Sequence, residues 1–300
     1  MTANIAIILP VYNGEKYLVQ QINSILNQSD VNPIIYIKDD SSYDSSLEII
    51  RKLSVEHENI KMLESCNKQV NASTAFYEMI INIPLDNHDY FSFCDQDDVW
   101  KYNKLKQAVK CMEHGNIHGY SSNVLAFWPT NKKKKVIKSY SQKKYDYMFE
   151  SAGPGCTFVI KRDLFINIRK FIIENKKEVY KFSSYDWFIY AYARTYNYNW
   201  LIDKRFTMNY RQHEHNEKGA HIGFNATANR IRNIRSGWYA QEIWKLAKIF
   251  NHSEKLKRLI KSPLNFFNFR RNNFDAIVLY FSYTLGYLSF YKKIDQKYQK

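Results

Sequence analysis

Hydrophobic and polar positions alternate along the first 130 residues in a regular order of short apolar runs and longer amphipathic stretches. Ile5-Ala6-Ile7-Ile8-Leu9 is unbroken by polar residues and ends at Pro10, the pattern of a strand buried on both faces. Pro10 to Gly14 reads as a turn, and Glu15 to Asn27 has apolar residues at Tyr17, Leu18, Ile22, Ile25 and Leu26, which is helical spacing. A second apolar run, Pro33 to Ile37, leads into Lys38-Asp39-Asp40-Ser41-Ser42, and a helix over Ser45 to Leu53 follows, capped by Asp44. Ile60 to Leu63 then reads as a strand, Ala72 to Ile81 as a helix and Tyr90 to Cys94 as another buried strand. Strand–helix alternation at this pitch predicts a doubly wound α/β sheet.

Further along, Lys104 to Met112, Arg162 to Ile173 and Tyr185 to Tyr196 read as helices. Tyr120 to Trp128, Cys156 to Ile160, Trp200 to Ile202 and Phe206 to Tyr210 read as strands, and the Lys-rich stretch Thr130 to Ser141 as a solvated loop. From Asn225 onward basic and aromatic residues alternate at helical spacing. This divides the chain into an α/β domain over residues 1–220 and a helical, basic region over 221–300. Ala276 to Tyr291 carries no charge and is flanked by Arg270-Arg271 and Lys292-Lys293. At that length it falls short of the ~20 apolar residues of a spanning helix. It fits a helix packed on the domain or a second subunit, or an interfacial helix on an anionic membrane.

Composition narrows the class. The chain has 300 residues, 45% of them hydrophobic, and only nine Gly and six Pro, which excludes a disordered or fibrous protein. Cys66, Cys94, Cys111 and Cys156 show no metal-ligand spacing, and no signal peptide precedes the first strand, so a cytoplasmic protein is expected. A formal charge of +15 favours anionic partners: phosphorylated substrates, anionic lipid or nucleic acid.

Chemistry concentrates in Tyr90 to Trp100, where Asp95, Asp97 and Asp98 follow a buried strand. Carboxylates so crowded repel unless a cation or hydrogen-bond donors compensate them. A hard divalent cation, Mg²⁺ or Mn²⁺, would do so and would bring phosphate oxygens with it. Helix capping would need only one Asp. In an α/β sheet ligands sit beyond the carboxyl ends of the strands. The Pro10–Glu15 turn, Asp39-Asp40 and Asp95–Asp98 are therefore expected on one rim.

The segments ILPVYNGEKYL, KDDSSYDSS, FCDQDDVWKYNKL and YRQHEHN, in this order, resemble the family 2 glycosyltransferases, and within them a rhamnosyltransferase-like subgroup. The resemblance spans roughly residues 4 to 215. It implies a GT-A fold, a Rossmann-like mixed sheet flanked by helices. It also implies an inverting, metal-dependent transfer from a dTDP- or UDP-sugar to a lipid-linked or oligosaccharide acceptor in capsule, O-antigen or lipopolysaccharide assembly. Pro10, Val11, Tyr12 and Glu15 would then hold base and ribose, Asp39 would accept N3–H of a uracil or thymine ring, and Asp40 would support that loop. Asp95 and Asp97 match an Asp-x-Asp metal element, with His213 as a further ligand and Asp98 orienting the sugar. Gln96, Lys104 and Gly155 join the donor site, Arg211 pairs with the diphosphate, and Asp186 is the base, although an Asp near a helix start is also a ready N-cap. Where relatives continue Gly-Asn-Asn after this His, the chain has Glu214-His215-Asn216.

Other readings are a UDP-hexose or UDP-N-acetylhexosamine transferase, a silent scaffold on this fold, and a nucleic-acid-binding module. The last is disfavoured by the acidic rim, which would repel phosphates lacking a metal. Peripheral attachment to the inner membrane face and a homo-oligomer are further expectations.

Overall fold

The computed structural model describes residues 2–64, 70–214 and 236–284. One nine-stranded sheet runs in the order β3-β2-β1-β4-β8-β6-β9-β5, with β7 on β6. The strands are β1 (Ala3–Val11), β2 (Val31–Asp39), β3 (Ile60–Met62), β4 (Tyr90–Phe93), β5 (Val99–Trp100), β6 (Gly119–Phe127), β7 (Lys133–Val136), β8 (Val159–Lys161) and β9 (Trp200–Arg211). β1, β2, β3 and β4 are parallel, β8 runs antiparallel to β4 and β6, and β6 and β9 are parallel. The sheet is therefore mixed, as expected.

Continuous apolar runs occupy the centre because both faces are covered. Along β1, Ile5, Ile7, Leu9 and Val11 enter one core, while Ala6 and Ile8 enter the other. β4 divides likewise: Tyr90 and Cys94 face one side, Phe91 and Phe93 the other. The first core is closed by α1 (Leu18–Leu26), α2 (Ser46–Glu56) and α4 (Lys104–His114). The second is closed by α3 (Ala72–Asn82), α5 (Arg162–Glu174) and α7 (Tyr185–Thr195), with the short α6 (Lys176–Val179) between the last two. The helices α8 (Trp238–Ile249), α9 (Ser253–Ile260) and α10 (Asn273–Thr284) join this second core. Their contact explains why α7 is apolar nearly all round. Trp187 stacks on Tyr239 at 5.9 Å and Phe188 on Phe250 at 5.7 Å, so α7 lies between layers.

Several boundaries differ from the sequence reading, each for a local reason. β1 continues through Pro10 to Val11, because a proline lacks only the donor and the Val11 carbonyl still accepts Asp40 N–H at 2.7 Å. The first helix starts at Leu18, since Gly14 to Tyr17 form a turn closed by Tyr17 N–H on the Gly14 carbonyl. The two expected strands near residues 200–210 are one, with register shifts on β6 on either side of Asn123. Within the Lys-rich stretch, Lys133 to Val136 form a strand that pairs with Val124 to Phe127. The strand expected from Cys156 begins instead with a 3-10 turn, Gly155–Thr157. Cys66, residues 215–235 (with His215 and Asn216) and residues 285–291 of the uncharged tail lie outside the described residues.

Candidate active site

Parallel strands deliver their carboxyl ends to one edge, and there three loops interlock through backbone hydrogen bonds. Val11 pairs in register with Asp39 across β1 and β2. The Gln96 side chain accepts Tyr12 N–H at 2.9 Å and donates to the Tyr12 carbonyl at 2.8 Å, tying the first turn to the acidic loop. Gly14 makes that closeness possible: a Cβ there would run into the Gln96 amide. Asn13 N–H donates to Ser42 Oγ at 2.9 Å, Gly14 N–H to Ser46 Oγ at 2.7 Å, and Ser45 N–H to Glu15 Oε2 at 2.9 Å. Pro10, Val11, Tyr12, Glu15, Asp39 and Gln96 are thus brought together. Gln96 and Glu15 serve this lattice directly.

Asp39 presents an unusual feature. Its Oδ2 accepts Ser42 N–H at 3.1 Å, but Oδ1 is buried with no hydrogen-bond partner among the described residues. A buried carboxylate oxygen without a donor is unfavourable by roughly 1–3 kcal/mol. An incoming N–H would relieve it. Asp40 Oδ1 is likewise buried without a hydrogen-bond partner among the described residues, but a cation compensates it: Lys38 Nζ lies 3.9 Å away, and Oδ2 accepts Val70 N–H at 2.9 Å. Burial pushes the Asp40 carboxyl above its ordinary value. It braces the chain leading into α3.

The acidic loop splits into two groups. Asp95, Asp98 and Cys156 have ligand atoms within 4.8 Å of one another, the one such trio among the described residues. Asp98 is fully buried, and its Oδ1 accepts Arg211 N–H at 2.9 Å. Burial first, then the charges of Asp97 and Asp95, push its carboxyl well above the usual range. The Cys156 thiol is also raised by burial and stays protonated, so it is a poor partner for a hard cation. Asp97 and His213 form the second group, with Asp97 Oδ2 and His213 Nε2 2.7 Å apart and both side chains about 15% exposed. The expected metal set is therefore divided: Asp97 and His213 are in contact, while Asp95 sits with the buried trio.

Arg211 and Lys104, expected at the donor, support the loop from behind in this structure. Arg211 Nε donates to the Asp97 carbonyl at 2.7 Å and Nη2 to Gln20 Oε1 at 2.6 Å, and its guanidinium lies between the rings of Tyr17 (4.4 Å) and Phe127 (4.6 Å). Lys104 is fully buried under the loop, its Nζ 3.6 Å from the centre of the Trp100 ring. Burial lowers its ammonium to about 8. Its Nζ also lies 3.5 Å from Ser92 Oγ, in the core.

Asp186 stands in the first turn of α7, where the N-cap position belongs to Ser184. An Asp after the cap does not make the N-cap hydrogen bond, so the capping explanation fails here. The Tyr185 ring stacks on Phe76 at 3.7 Å, and its hydroxyl occupies the space where a Cβ on Gly155 would be. Burial first, then the charges of Asp95, Cys156 and Asp186, raise that hydroxyl well above its usual value. Tyr185 thus packs against the Gly155 turn and adjoins Asp186 in the chain. Tyr17 and Tyr185 are site residues to which the sequence reading gave no role; Tyr17 lies inside the first matched segment and Tyr185 beside Asp186.

Residues 6–169 match the model of glycosyl transferase family 2, which covers more than half of the chain. The chain belongs to that family. A dTDP-rhamnosyl transferase, RfbG of Shigella flexneri, is 41% identical over 280 residues, covering 90% of this chain and 97% of the relative. Among solved structures, Staphylococcus aureus TarS 1–349 in complex with UDP-GlcNAc superposes with a TM-score of 0.54 at 15% identity, over 85% of this chain and 73% of that one. The mannosyltransferase PcManGT of Pyrobaculum calidifontis, in complex with GDP-Man and Mn²⁺, gives 0.54 at 15% identity over 99% and 83%. The fold of this family 2 glycosyltransferase is GT-A. The family match ends before Asp186, Arg211 and His213, so their placement rests on the geometry above.

Proposed function

We propose that the protein transfers a sugar, with L-rhamnose as the first candidate, from a dTDP-activated donor to a lipid-linked or oligosaccharide acceptor in cell-surface polysaccharide assembly, inverting the anomeric centre. The carrying observation is Asp39 Oδ1, a buried acceptor without a donor at the rim that also bears Asp97. An imide N–H of thymine or uracil is the complementary group, and the similarity to the Shigella enzyme favours the dTDP donor. The same acceptor suits a uridine nucleotide, which keeps a UDP-hexose or UDP-N-acetylhexosamine donor as the second reading.

Asp97 and His213, 2.7 Å apart, offer oxygen and nitrogen donors that would suit Mn²⁺ or Mg²⁺, and Asp95, on the same loop, would add a further oxygen. Such an ion supplies Lewis-acid neutralisation of the departing nucleoside diphosphate. The protein does the rest. Arg211 and Gln96 fix the acidic loop, Tyr185 and Gly155 shape the floor, and Asp186 takes the proton of the acceptor hydroxyl as its oxygen bonds to the anomeric carbon. The sugar–phosphate bond breaks with its electron pair going to the diphosphate. In this reading Asp98 orients the sugar indirectly, through the turn it holds.

The test is transfer from dTDP-rhamnose, UDP-glucose and UDP-N-acetylglucosamine to a polyprenyl-diphosphate-linked monosaccharide, with Mn²⁺ or with chelator. Turnover of dTDP-rhamnose abolished by chelator supports the reading. Turnover of a UDP-sugar alone replaces the donor assignment, and no turnover with Mn²⁺ of any donor removes it.

Attachment to an anionic membrane is part of the same proposal. None of the described helices is long and apolar enough to cross a membrane. On α10, however, Phe274, Ile277 and Phe281 are 61%, 41% and 56% exposed at helical spacing, in a chain of charge +15. Flotation with phosphatidylglycerol vesicles, lost in a Phe274→Ser/Phe281→Ser variant, is the expected result; equal flotation of the variant counts against it.

A further inference from the structure

The apolar inner face of α8 carries one buried carboxylate. Tyr239, Ala240, Ile243, Leu246 and Ala247 are buried there, and among them Glu242 is 1% exposed. Its Oε2 accepts both Ser183 N–H, at 2.9 Å, and Ser183 Oγ–H, at 2.8 Å. Oε1 is 2.6 Å from Lys245 Nζ, which also donates to the Lys181 carbonyl at 2.9 Å. From the other side, Ser73 Oγ donates to the Ser183 carbonyl at 2.9 Å and accepts Tyr185 N–H at 3.3 Å. The three residues before Asp186 are therefore clamped between α3 and α8.

A buried ion pair contributes little net stability compared with apolar packing of the same shape. The position of Glu242 thus calls for a reason beyond holding α8 down, and its partners supply one. Both hydrogen bonds of Oε2 end on Ser183, the residue before the N-cap Ser184 of α7 and three positions before Asp186. Tyr77 links the two acids independently: its hydroxyl donates to the Phe182 carbonyl at 3.4 Å, and both Asp186 and Glu242 act on it electrostatically.

We infer that Glu242 is a positioning residue for the transfer reaction, holding Ser183 so that Asp186 meets the acceptor hydroxyl at bonding distance. The assignment rests on the reading of Asp186 as base. It makes part of the catalytic apparatus depend on a helix beyond residue 169, where the family match ends. Donor binding, by contrast, is built from β1, β2 and the acidic loop and needs nothing from α8.

The experiment compares wild type, Glu242→Gln and Glu242→Ala in the full chain. The readouts are kcat and donor KM with dTDP-rhamnose and the polyprenyl-diphosphate-linked monosaccharide, and dTDP affinity with Mn²⁺. The amide keeps an oxygen for Ser183 and loses the charge. A graded fall in kcat is expected, a few-fold for Gln and ~10-fold or more for Ala, with KM and dTDP affinity within about twofold. In an Asp186→Asn background the Ala change is expected to cause no further loss, because it acts through that carboxylate. Unchanged kcat in the folded variants overturns the inference, as does an equal loss in both backgrounds. If Glu242→Ala does not fold, Glu242→Gln and Ser183→Ala carry the same comparison. Wild-type turnover by Asp186→Asn would remove the base and this role with it, whereas full activity of Glu242→Ala beside an inactive Asp186→Asn removes Glu242 alone.

Discussion

His213 Nε2 lies 2.7 Å from Asp97 Oδ2, and the same imidazole packs on Tyr17 with ring centres 5.1 Å apart. Tyr17 also carries the Arg211 guanidinium, so one aromatic ring packs against the imidazole at Asp97 Oδ2 and the guanidinium at its carbonyl. An ion between Asp97 and His213 would share that support. Asp97→Ala is expected to lower Mn²⁺-dependent transfer by ~100-fold or more, a few kcal/mol of transition-state stabilisation. His213→Ala, removing a single nitrogen donor, is expected to lower it by ~10–100-fold. Initial rates across a Mn²⁺ titration check this. An unchanged Mn²⁺ dependence in both variants would take the ion away from this pair.

Gly155 faces the Tyr185 hydroxyl so closely that no side chain fits without displacing the ring. Tyr185 is itself wedged, stacked on Phe76 at 3.7 Å and adjacent in sequence to Asp186. Gly155→Ala should therefore destabilise the fold by ~1–3 kcal/mol, the usual effect of overpacking, and shift the start of α7. A lowered urea midpoint together with reduced kcat is the expected pair of results. A variant as stable and active as wild type would show that the floor tolerates a methyl group.

The strand–helix alternation was legible through residue 130 because its central runs, β1 and β4, are buried on both faces, whereas the edge strand β3 is buried only at Ile60. β5 was not legible. Val99-Trp100 is a two-residue strand whose pairing with Met208-Asn209 depends on a segment more than a hundred residues away. The acidic loop could be located from Asp95, Asp97 and Asp98, but not its division into the Asp95–Asp98–Cys156 trio and the Asp97–His213 pair. That division is set by Cys156, from the 3-10 turn before β8, and by His213, just after β9. Lys104 shows the same limit: the family resemblance put it at the donor, whereas the helix that buries Leu105, Ala108 and Met112 also buries Lys104, with its Nζ over the Trp100 ring. Glu242 lay in a region where only basic and aromatic periodicity was visible, and its partner Ser183 has no motif to mark it.

Arg271 is 1% exposed between two acids. Its Nη1 is 3.4 Å from Asp146 Oδ2, its Nη2 3.4 Å from Glu150 Oε2, and its backbone N–H donates to Glu150 Oε1 at 2.6 Å. Arg194 and Tyr190 complete the shell around Asp146 at 3.0 Å each. Replacing the cation by Arg271→Met leaves buried carboxylates short of a partner, and a loss of ~3–5 kcal/mol is expected. Adding Asp146→Asn to that variant should recover part of it, because the two residues share one network. Urea denaturation of the three proteins measures this, and strict additivity would mean that the network does not act as a unit.

Asp203 gives the clearest dependence on pH. Burial pushes its carboxyl up, but hydrogen bonds from Arg205 Nε (2.7 Å) and Tyr120 Oη (2.8 Å) outweigh burial and leave it below the ordinary 3.8. With the folded value depressed, the unfolded chain binds the proton first as acid is added. The stabilisation is then complete above the unfolded value and disappears as pH falls through the folded one. Asp203→Asn should consequently be less stable than wild type at pH 7, and the difference should close below about pH 4 as wild type loses its anion at this position. Urea midpoints measured from pH 7 downward decide it. A gap that stays constant to low pH would show that Asp203 contributes through its shape and hydrogen bonds and not through its charge.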